Sequence, residues 1–365
     1  MELIEYLTKH GLNRLTEEYF IKVKRHTVYP NLVLLSYDFL NSPLSEKVVQ
    51  QCRGIILDED KNWSIISYPF DKFFNYGEPN AATIDWSTAK VYEKLDGSLV
   101  VLYFNPYSSK WEISTSGSPD AEGVINSYNN LTFNKLFWQT CNSLGYQLPE
   151  DVDCCFMFEL LTPYNIVIVR PKVSAIVLHG VRNLPSLKED NPEIFAAKYD
   201  WECVQRFDLS SWEDVLAASS NLDPLASEGY IVCDDKFNRV KVKSPKYVAL
   251  APTKGGLSDR RLLEIIVNAE GDEVLSYFPE WLPIYQNVQA KYEALVEEIV
   301  ENYQAIASIS GTPKEFANLA IQHPYSRVLF GLRSGKLTSV KPGLKLMPFA
   351  KIESLLQSDS IDIIN

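Results

Sequence analysis

The change in sequence pattern near residue 250 is the feature that most limits how this chain can fold. Before it, short apolar runs alternate with turn residues, which is typical of strands. The runs are RGIILD at 53–58, SIISYP at 64–69, SLVVLYF at 98–104, WEIST at 111–115, CCFMFELL at 154–161, NIVIV at 165–169, SAIVLHGV at 174–181, GYIVC at 229–233 and RVKVK at 239–243. Helical stretches, for instance residues 126–144, lie between them. The pattern over residues 1–250 therefore predicts an α+β domain with largely antiparallel sheets.

The rest of the chain has a helical pattern. Apolar residues recur every three or four positions, which places them on one helix face, at Val288, Tyr292, Leu295, Ile299, Tyr303 and Ile306. TPKE at 312–315 has the form of a capping box with proline at the first helical position. The boundary lies near APTKGG at 251–256, so we expect residues 251–365 to form an all-helical C-terminal domain.

Composition excludes several classes of protein. The 365 residues are 46% hydrophobic and 22% charged, as in ordinary folded proteins. No run of eighteen apolar residues occurs, and charged residues interrupt the N-terminus, so we expect neither a membrane span nor a secretory signal. The six cysteines form no C-x-x-C pair, which argues against a zinc knuckle and a disulfide framework. These features predict a cytosolic protein with reduced thiols.

Charge is distributed unevenly along the chain. The net charge of −12 argues against a general polyanion binder. Residues 236–261, however, contain eight basic residues and one acid, a local charge of +7. Such a stripe suits phosphates bound at one site, although a solvated charged face would have the same composition.

The segment YEKLDGSLVV at 92–101 contains the candidate catalytic residue, Lys94. K-x-D-G alone is a weak signal, because it also describes a strand that ends in an Asp-Gly turn beside a solvated lysine. Five further motifs accompany it in a fixed order. They are CRGI at 52–55, PFDKFFN at 69–75, FELL at 158–161, EGYIV at 228–232 and VKVK at 240–243. The six together resemble the motif series of covalent nucleotidyltransferases, and more closely that of the ATP-dependent RNA ligase 1 family of bacteriophage type.

The resemblance implies a role for each matched residue. Lys94 would attack the α-phosphorus of ATP and carry AMP, with Asp96 and Gly97 forming the tight turn that presents it. Nucleotide- or phosphate-binding residues would be Arg53, Lys72, Phe74, Gly97, Glu159, Lys241 and Lys243. Metal ligands would be Glu228 and Glu159, and the cofactors would be ATP and Mg²⁺ or Mn²⁺.

The chemistry of an amine nucleophile supports this interpretation. A lysine has an ordinary pKa near 10.4, so only a few molecules in ten thousand are neutral at pH 7. Nearby cations and partial burial favour the neutral form that can attack. Alternation along VKVK places Lys241 and Lys243 on one face of a strand, about 6.6 Å apart. We expect these two lysines to bind phosphates and to destabilise a proton on Lys94.

Structural explanations remain open for several of these residues. The two lysines of VKVK would also suit the polar side of an amphipathic edge strand. Glu159 lies in an apolar strand, where a buried carboxylate needs a partner, so a structural salt bridge is the alternative for it and for Glu228. Lys72 and Phe74 have the alternatives of a surface charge and a core aromatic.

Two features fit the family less well. The family often has lysine in the stretch that matches ISTSGS at 113–118, whereas Ser114 and Ser116 occupy it here. One phosphate contact is therefore missing or supplied from elsewhere. His179 lies in the strand LHGVRN, which matches a strand that lines the nucleotide pocket in the family, and we interpret it as a structural histidine and not a catalyst.

The resemblance implies an enzyme that joins RNA 5′-phosphate and 3′-hydroxyl ends, with a nicked tRNA anticodon loop as a possible substrate. It also implies that residues 1–250 form the adenylation domain and that residues 251–365 help to recognise the RNA. A separate kinase or phosphatase would prepare the ends. The alternatives are a DNA ligase, an mRNA-capping guanylyltransferase and a non-catalytic RNA-binding protein. The first two usually have a small β-barrel after the VKVK-type strand, and the helical pattern argues against them. Retention of Lys94, Glu159 and Glu228 argues against the third.

Overall fold

The chain divides into two compact units, residues 1–250 and 251–365. A computed structural model describes residues 1–123, 125, 131–164, 169–250, 259–268, 271, 275 and 281–358. The functional roles assigned above to the two domains remain predictions.

The first unit begins with helices that pack on a four-stranded sheet. Helix α1 (Glu2–Tyr19) is interrupted at Gly11, whose φ of 77° is not helical, and α2 (Lys47–Gln51) follows later. The sheet, here called the N-terminal sheet, has the order β1-β2-β3-β4 and is antiparallel throughout. Its strands are β1 (Lys22–Arg25), β2 (Leu32–Ser36), β3 (Arg53–Asp58) and β4 (Ser64–Ser67).

Two five-stranded sheets follow in the same unit. The central sheet has the order β11-β10-β9-β7-β8 and is antiparallel. The lysine sheet, named for the three lysines described below, has the order β12-β6-β13-β14-β5 and is antiparallel except between β14 and β5. The strands are β5 (Phe74–Asn75), β6 (Lys90–Lys94), β7 (Ser98–Asn105), β8 (Lys110–Thr115), β9 (Cys154–Leu161), β10 (Ala175–Asn183), β11 (Glu189–Asp190), β12 (Arg206–Phe207), β13 (Gly229–Cys233) and β14 (Arg239–Lys243). The helices are α3 (Phe133–Leu144), α4 (Pro192–Tyr199), α5 (Trp212–Asn221) and α6 (Pro245–Leu250).

Side-chain alternation along the strands places the apolar cores. One core lies between the N-terminal sheet and one face of the central sheet, with Leu34 and Ile56 against Val101 and Met157. The opposite face of the central sheet is covered by α3 and α4. In the lysine sheet, Val240 and its apolar neighbours pack against α5. The other face of β14 is therefore left to the intervening charged residues.

The described part of the second unit is helical. Its helices are α7 (Asp259–Asn268), α8 (Leu282–Ile309), α9 (Pro313–Ala320), α10 (Ser326–Arg333), α11 (Val340–Lys345) and α12 (Phe349–Ser358). The predicted capping box is present, because the Thr312 hydroxyl accepts a hydrogen bond from Glu315 N–H and the Glu315 carboxylate bonds back to Thr312 N–H. The stripe on α8 is buried as predicted, apart from the half-buried Tyr303. Among the described residues, no helix combines the length and apolar composition that crossing a bilayer requires.

The predicted fold class is confirmed: sheets that are largely antiparallel are followed by a helical C-terminal region. The strands predicted at 53–58, 154–161, 229–233 and 239–243 have the expected bounds. NIVIV at 165–169 lies, apart from Val169, outside the described residues, as do residues 126–130 of the expected helix, of which Phe133–Leu144 is helical. Strands β1 and β6 were not predicted, since their charged residues hide the alternation. Strand β2 was not predicted either, and it is a continuous apolar run without alternation. All six cysteines are free thiols.

Glu112 links the central sheet to the segment that follows β1. Its carboxylate accepts hydrogen bonds from Asn105 Nδ2 at 2.9 Å and Ser108 Oγ at 2.7 Å, and lies 3.1 Å from His26 Nε2. Burial alone would raise the pKa of Glu112, but the contacts with His26, Asn105 and Ser108 outweigh it and lower the pKa from 4.5 to about 2. The charged form of Glu112 therefore stabilises the fold.

We expect Glu112→Gln to lower the free energy of unfolding at pH 7 by about 1 kcal/mol, after allowance for solvent screening of this half-exposed group. Because the pKa of Glu112 is lower in the folded state, its contribution is complete above pH 4.5 and is lost as the pH falls towards 2. Urea unfolding should show that the difference in free energy of unfolding between wild type and Glu112→Gln is smaller at pH 3 than at pH 7. The exposed Glu122→Gln is the control. A difference in free energy of unfolding that does not change with pH would contradict the prediction.

Candidate active site

Lys94 lies at the end of β6, beside the ends of two neighbouring strands. Gly229 on β13 pairs with Lys94 on one side and with Lys243 on the other. Glu228 directly precedes Gly229, and its carboxylate bridges the two ammonium groups, with Oε2 at 2.5 Å from Lys94 Nζ and Oε1 at 3.5 Å from Lys243 Nζ. Lys94 is 7% exposed and Glu228 is fully buried, which excludes the alternative of a solvated surface lysine.

Gly229 keeps this arrangement compact. Its φ of 155° disfavours any residue with a side chain, and a Cβ there would lie 2.1 Å from the carbonyl oxygen of Val242. Only glycine lets β13 approach β14 closely enough for Glu228 to reach both lysines.

The K-x-D-G turn crosses from one sheet to another. Lys94 ends β6 in the lysine sheet, and Ser98 begins β7 in the central sheet. Asp96 fixes the turn, because its carboxylate accepts hydrogen bonds from Val169 N–H at 2.6 Å and from the Tyr247 hydroxyl at 2.9 Å. The turn therefore holds the lysine at the junction of the two sheets.

Gly97 connects the turn to Glu159 on β9. Its N–H donates a hydrogen bond to Glu159 Oε1 at 3.1 Å, and a Cβ at Gly97 would lie 2.6 Å from the carbonyl oxygen of Leu160. Glycine is thus required by close contact with the neighbouring strand. Glu159 itself is 6% exposed.

Lys241 lies on the same face of β14 as Lys243, as alternation predicted, with Val240 and Val242 buried on the opposite face. Because β14 lies between β13 and β5, the alternative of an edge strand is wrong. Burial, followed by the charges of Lys72 and Lys94, holds the pKa of Lys241 well below its ordinary value.

Arg53 and Lys72 extend this cationic region. Both contribute to the lowered pKa of Lys241, and the ring centroid of Phe73 lies 5.6 Å from Arg53 Cζ and 4.9 Å from Lys241 Nζ. Arg53 Nη1 is buried and donates to no acceptor in the described part of the chain. A buried donor of this kind suits a phosphate oxygen.

Lys72 is buried among aromatic rings. The ring centroids of Phe74, Tyr37 and Phe39 lie 5.2, 5.7 and 5.7 Å from its Nζ. Burial, and then the charge of Arg53, lowers the pKa of Lys72 to about 8. The alternative of a surface charge is therefore wrong for Lys72, while Phe74 is both a core aromatic and a cation–π partner.

His179 lies closer to the site than the sequence indicated. A β-bulge between Leu178 and Gly180 shifts the register of β10 there, and His179 Nε2 lies 3.5 Å from Glu159 Oε2. Burial, followed by the charge of Lys94, lowers the pKa of His179 to about 3, so its imidazole is neutral. A bulge has no reliable sequence signal, although Gly180 was a possible indication.

The serines that replace the expected lysine do not contribute a charge. Ser114 is fully buried, and its hydroxyl makes no hydrogen bond to any described residue. Gly54 packs closely on this segment, with a Cβ position 3.0 Å from Ser116 Cα, which brings the backbone of Arg53 near it.

Two carboxylates are available for a metal ion. Among the described residues, no group of three or more His, Cys, Asp or Glu side chains converges on a point. Glu228 Oε1 is buried and accepts no hydrogen bond from a described residue. One or two carboxylates fit Mg²⁺, which takes its remaining ligands from phosphates and water.

The site combines five basic side chains with two carboxylates. The charges of four basic residues act on Lys241: Arg53, Lys72, Lys94 and Lys243. Glu228 pairs with two of these lysines, and Glu159 bonds to Gly97 N–H in the turn after Lys94. The site thus has an excess of three basic groups in a chain with a net charge of −12. Such an excess, partly buried, is suited to binding a compact polyanion next to an amine nucleophile.

Comparison with known proteins gives consistent matches. A family model described as RNA ligase matches residues 51–247, which is 197 of the 365 residues. A putative bifunctional polynucleotide kinase/RNA ligase of Autographa californica nuclear polyhedrosis virus is 25% identical, over 96% of this chain and 52% of that protein. An RNA ligase of Rhodothermus phage RM378 is 27% identical, over 73% of this chain and 76% of that protein. The chain thus spans about half the length of the viral relative.

Solved structures are more distant. A variant of the Naegleria gruberi RNA ligase, determined with ATP and Mn, is 13% identical and has a TM-score of 0.35, covering 45% of this chain and 51% of that chain.

We expect Gly97→Ala to destabilise the fold by about 1 to 3 kcal/mol, because the added Cβ meets the Leu160 carbonyl and must displace the turn. Gly117→Ala is the matched control, since a Cβ there meets nothing within 4 Å. Scanning calorimetry should show a lower melting temperature for Gly97→Ala alone. Equal melting temperatures would show that the turn tolerates a side chain.

Proposed function

The chain belongs to the RNA ligase family, as its motifs predicted, and from this premise we propose that it is an ATP-dependent RNA ligase that carries AMP on Lys94. The observation that supports this most strongly is the environment of Lys94. Its amine is buried within a group of basic side chains, at the point where two sheets and both candidate carboxylates meet. Few roles other than attack on a bound polyanion explain so costly an arrangement.

In the first step, Lys94 Nζ attacks the α-phosphorus of ATP. A nitrogen–phosphorus bond forms, the bond from the α-phosphorus to the bridging oxygen of the β-phosphate breaks, and pyrophosphate leaves. Nζ must lose a proton before it attacks, and Glu228 Oε2 accepts a hydrogen bond from it at 2.5 Å. The positive charges of Lys241 and Lys243 favour that loss.

The remaining basic residues bind the phosphates. Arg53 and Lys72 are the candidates for the leaving pyrophosphate or for the RNA 5′-phosphate, and their burial strengthens each contact by excluding water. Glu159 would accept hydrogen bonds from the ribose hydroxyls, in addition to the one from Gly97 N–H. Gly97 would act on the nucleotide through Glu159, which it holds by this hydrogen bond and by close contact of its backbone with β9.

The later steps transfer AMP to RNA and release it. An oxygen of the RNA 5′-phosphate attacks the AMP phosphorus, the bond to Lys94 breaks, and the amine is regenerated. The RNA 3′-hydroxyl then attacks the 5′-phosphate phosphorus, forming the phosphodiester and releasing AMP. Charge develops on phosphate oxygens in each step, which explains the use of the same basic residues throughout.

Magnesium or manganese is the proposed metal cofactor. Glu228 and Glu159 would hold the ion, and it would supply positive charge to the phosphate oxygens.

The proposed partners are RNA ends with a 5′-phosphate and a 3′-hydroxyl, with a nicked tRNA anticodon loop as a possible natural substrate. Residues 251–365 would select that RNA. The name of the viral relative combines a kinase with a ligase, which supports a separate end-healing kinase or phosphatase acting before this chain. ATP and RNA as substrates accord with a cytoplasmic location.

We expect the wild-type protein, incubated with α-labelled ATP and Mg²⁺, to retain acid-labile label after denaturation. Lys94→Ala should abolish labelling, because no other amine occupies its position, whereas Lys90→Ala on the same strand should label normally. Label from GTP instead of ATP would indicate a capping enzyme. Labelling that persists in Lys94→Ala would contradict the assignment of the nucleophile.

Removal of residues 252–365 should reduce sealing of nicked tRNA by about tenfold or more relative to sealing of a plain oligonucleotide, because the proposed substrate contacts are lost. The measurement is the ratio of the two rates, with circular dichroism as the check that residues 1–251 remain folded. An unchanged ratio would mean that the helical unit does not select the RNA.

A further inference from the structure

A buried ion triad lies in the cleft between the lysine sheet and the central sheet. Arg239, the first residue of β14, donates two hydrogen bonds to Glu189 on β11, from Nη1 to Oε1 at 2.8 Å and from Nη2 to Oε2 at 2.5 Å. Arg182 on β10 donates to the same Oε1 at 3.1 Å. The side chains of Arg239, Glu189 and Arg182 are 11%, 4% and 9% exposed.

Aromatic rings and backbone oxygens hold the triad in place. Arg239 Cζ lies 4.2 Å above the ring centroid of Phe70, and Arg182 Cζ lies 4.3 Å above that of Tyr68. Arg182 also donates to the carbonyl oxygens of Leu187 and Pro69. Space for Phe70 depends on Gly180, where a Cβ would lie 2.7 Å from the ring. The triad is thus built into the fold and is not a chance surface contact.

The triad joins the two sheets that carry opposite halves of the candidate site. Arg239, Lys241 and Lys243 alternate on one face of β14, so the guanidinium lies in line with the two site lysines. Lys94 is in the same sheet, through β6 and β13. Glu159 and His179 belong to the central sheet, as does Glu189.

We propose that Glu189 is a positioning residue for adenylation: its bidentate pair with Arg239 sets where the lysine sheet lies relative to Glu159. The inference rests on the function proposed above. Burying an Arg–Glu–Arg group is costly and adds little net stability compared with apolar residues, but its geometry is rigid and directional. Rigid placement matters because misplacing reacting groups by about 1 Å lowers a rate by about a hundredfold.

The two halves of the site should respond differently to loss of the pair. The phosphate-binding lysines and Lys94 share one sheet and would move together, so ATP affinity should change little. The position of Lys94 relative to Glu159 would change. Because the resemblance assigns Glu159 to the ribose, the rate of attack should fall. A residue with only a structural role would not separate rate from affinity in this way.

The test is single-turnover self-adenylation with α-labelled ATP, comparing wild type, Glu189→Gln and Glu189→Asp well below their melting temperatures. Glu112→Gln is the matched control, because Glu112 also bridges separate parts of the first unit but lies outside the cleft. We expect Glu189→Gln to lower the rate constant about tenfold or more with less than about a threefold change in apparent ATP affinity. Glu112→Gln should lower only the melting temperature.

Glu189→Asp keeps the charge but is shorter by one methylene. If Glu189→Gln fails to fold, the adenylation rate and ATP affinity of Glu189→Asp provide the test. An intermediate rate with unchanged ATP affinity supports positioning. A folded variant that labels at the wild-type rate, or one whose rate and ATP affinity fall together, overturns it. Absence of labelling in the wild type would instead refute the proposed function.

Discussion

The gathering of basic side chains around Lys94 is the constraint on which the rest of the site depends. Five basic groups in a partly buried space repel one another, and the repulsion and burial are visible in the lowered pKa values of Lys72 and Lys241. Glu228 offsets part of this cost by pairing with two lysines. The fold tolerates the remainder because apolar cores cover both faces of the central sheet and the opposite face of β14.

Much of the site was predictable because its motifs lie on strands with regular geometry. Alternation alone placed Lys241 and Lys243 on one face, and the ordered series of six motifs identified Lys94. The supporting contacts were not predictable, since they join residues far apart in the chain. Tyr247 reaches Asp96 across 151 positions, and Arg239 reaches Glu189 across 50. Nothing local to Tyr247 or Glu189 indicates its partner.

His179 shows a different limit of the sequence. Its strand was identified, but a single-residue bulge decides which way a side chain points, and the bulge depends on close packing of Gly180 against Phe70. Tertiary packing, and not local pattern, thus determines whether His179 takes part in the site.

The ion triad at one end of β14 limits how the lysine sheet can move relative to the central sheet. Arg239 and Lys243 are four positions apart, a distance of about 13 Å along an extended strand. The triad holds the Arg239 end of β14, and the Lys243 end lies beside the K-x-D-G turn, through which the chain passes from the lysine sheet to the central sheet. Pivoting of one sheet against the other is therefore restrained at both ends of this strand.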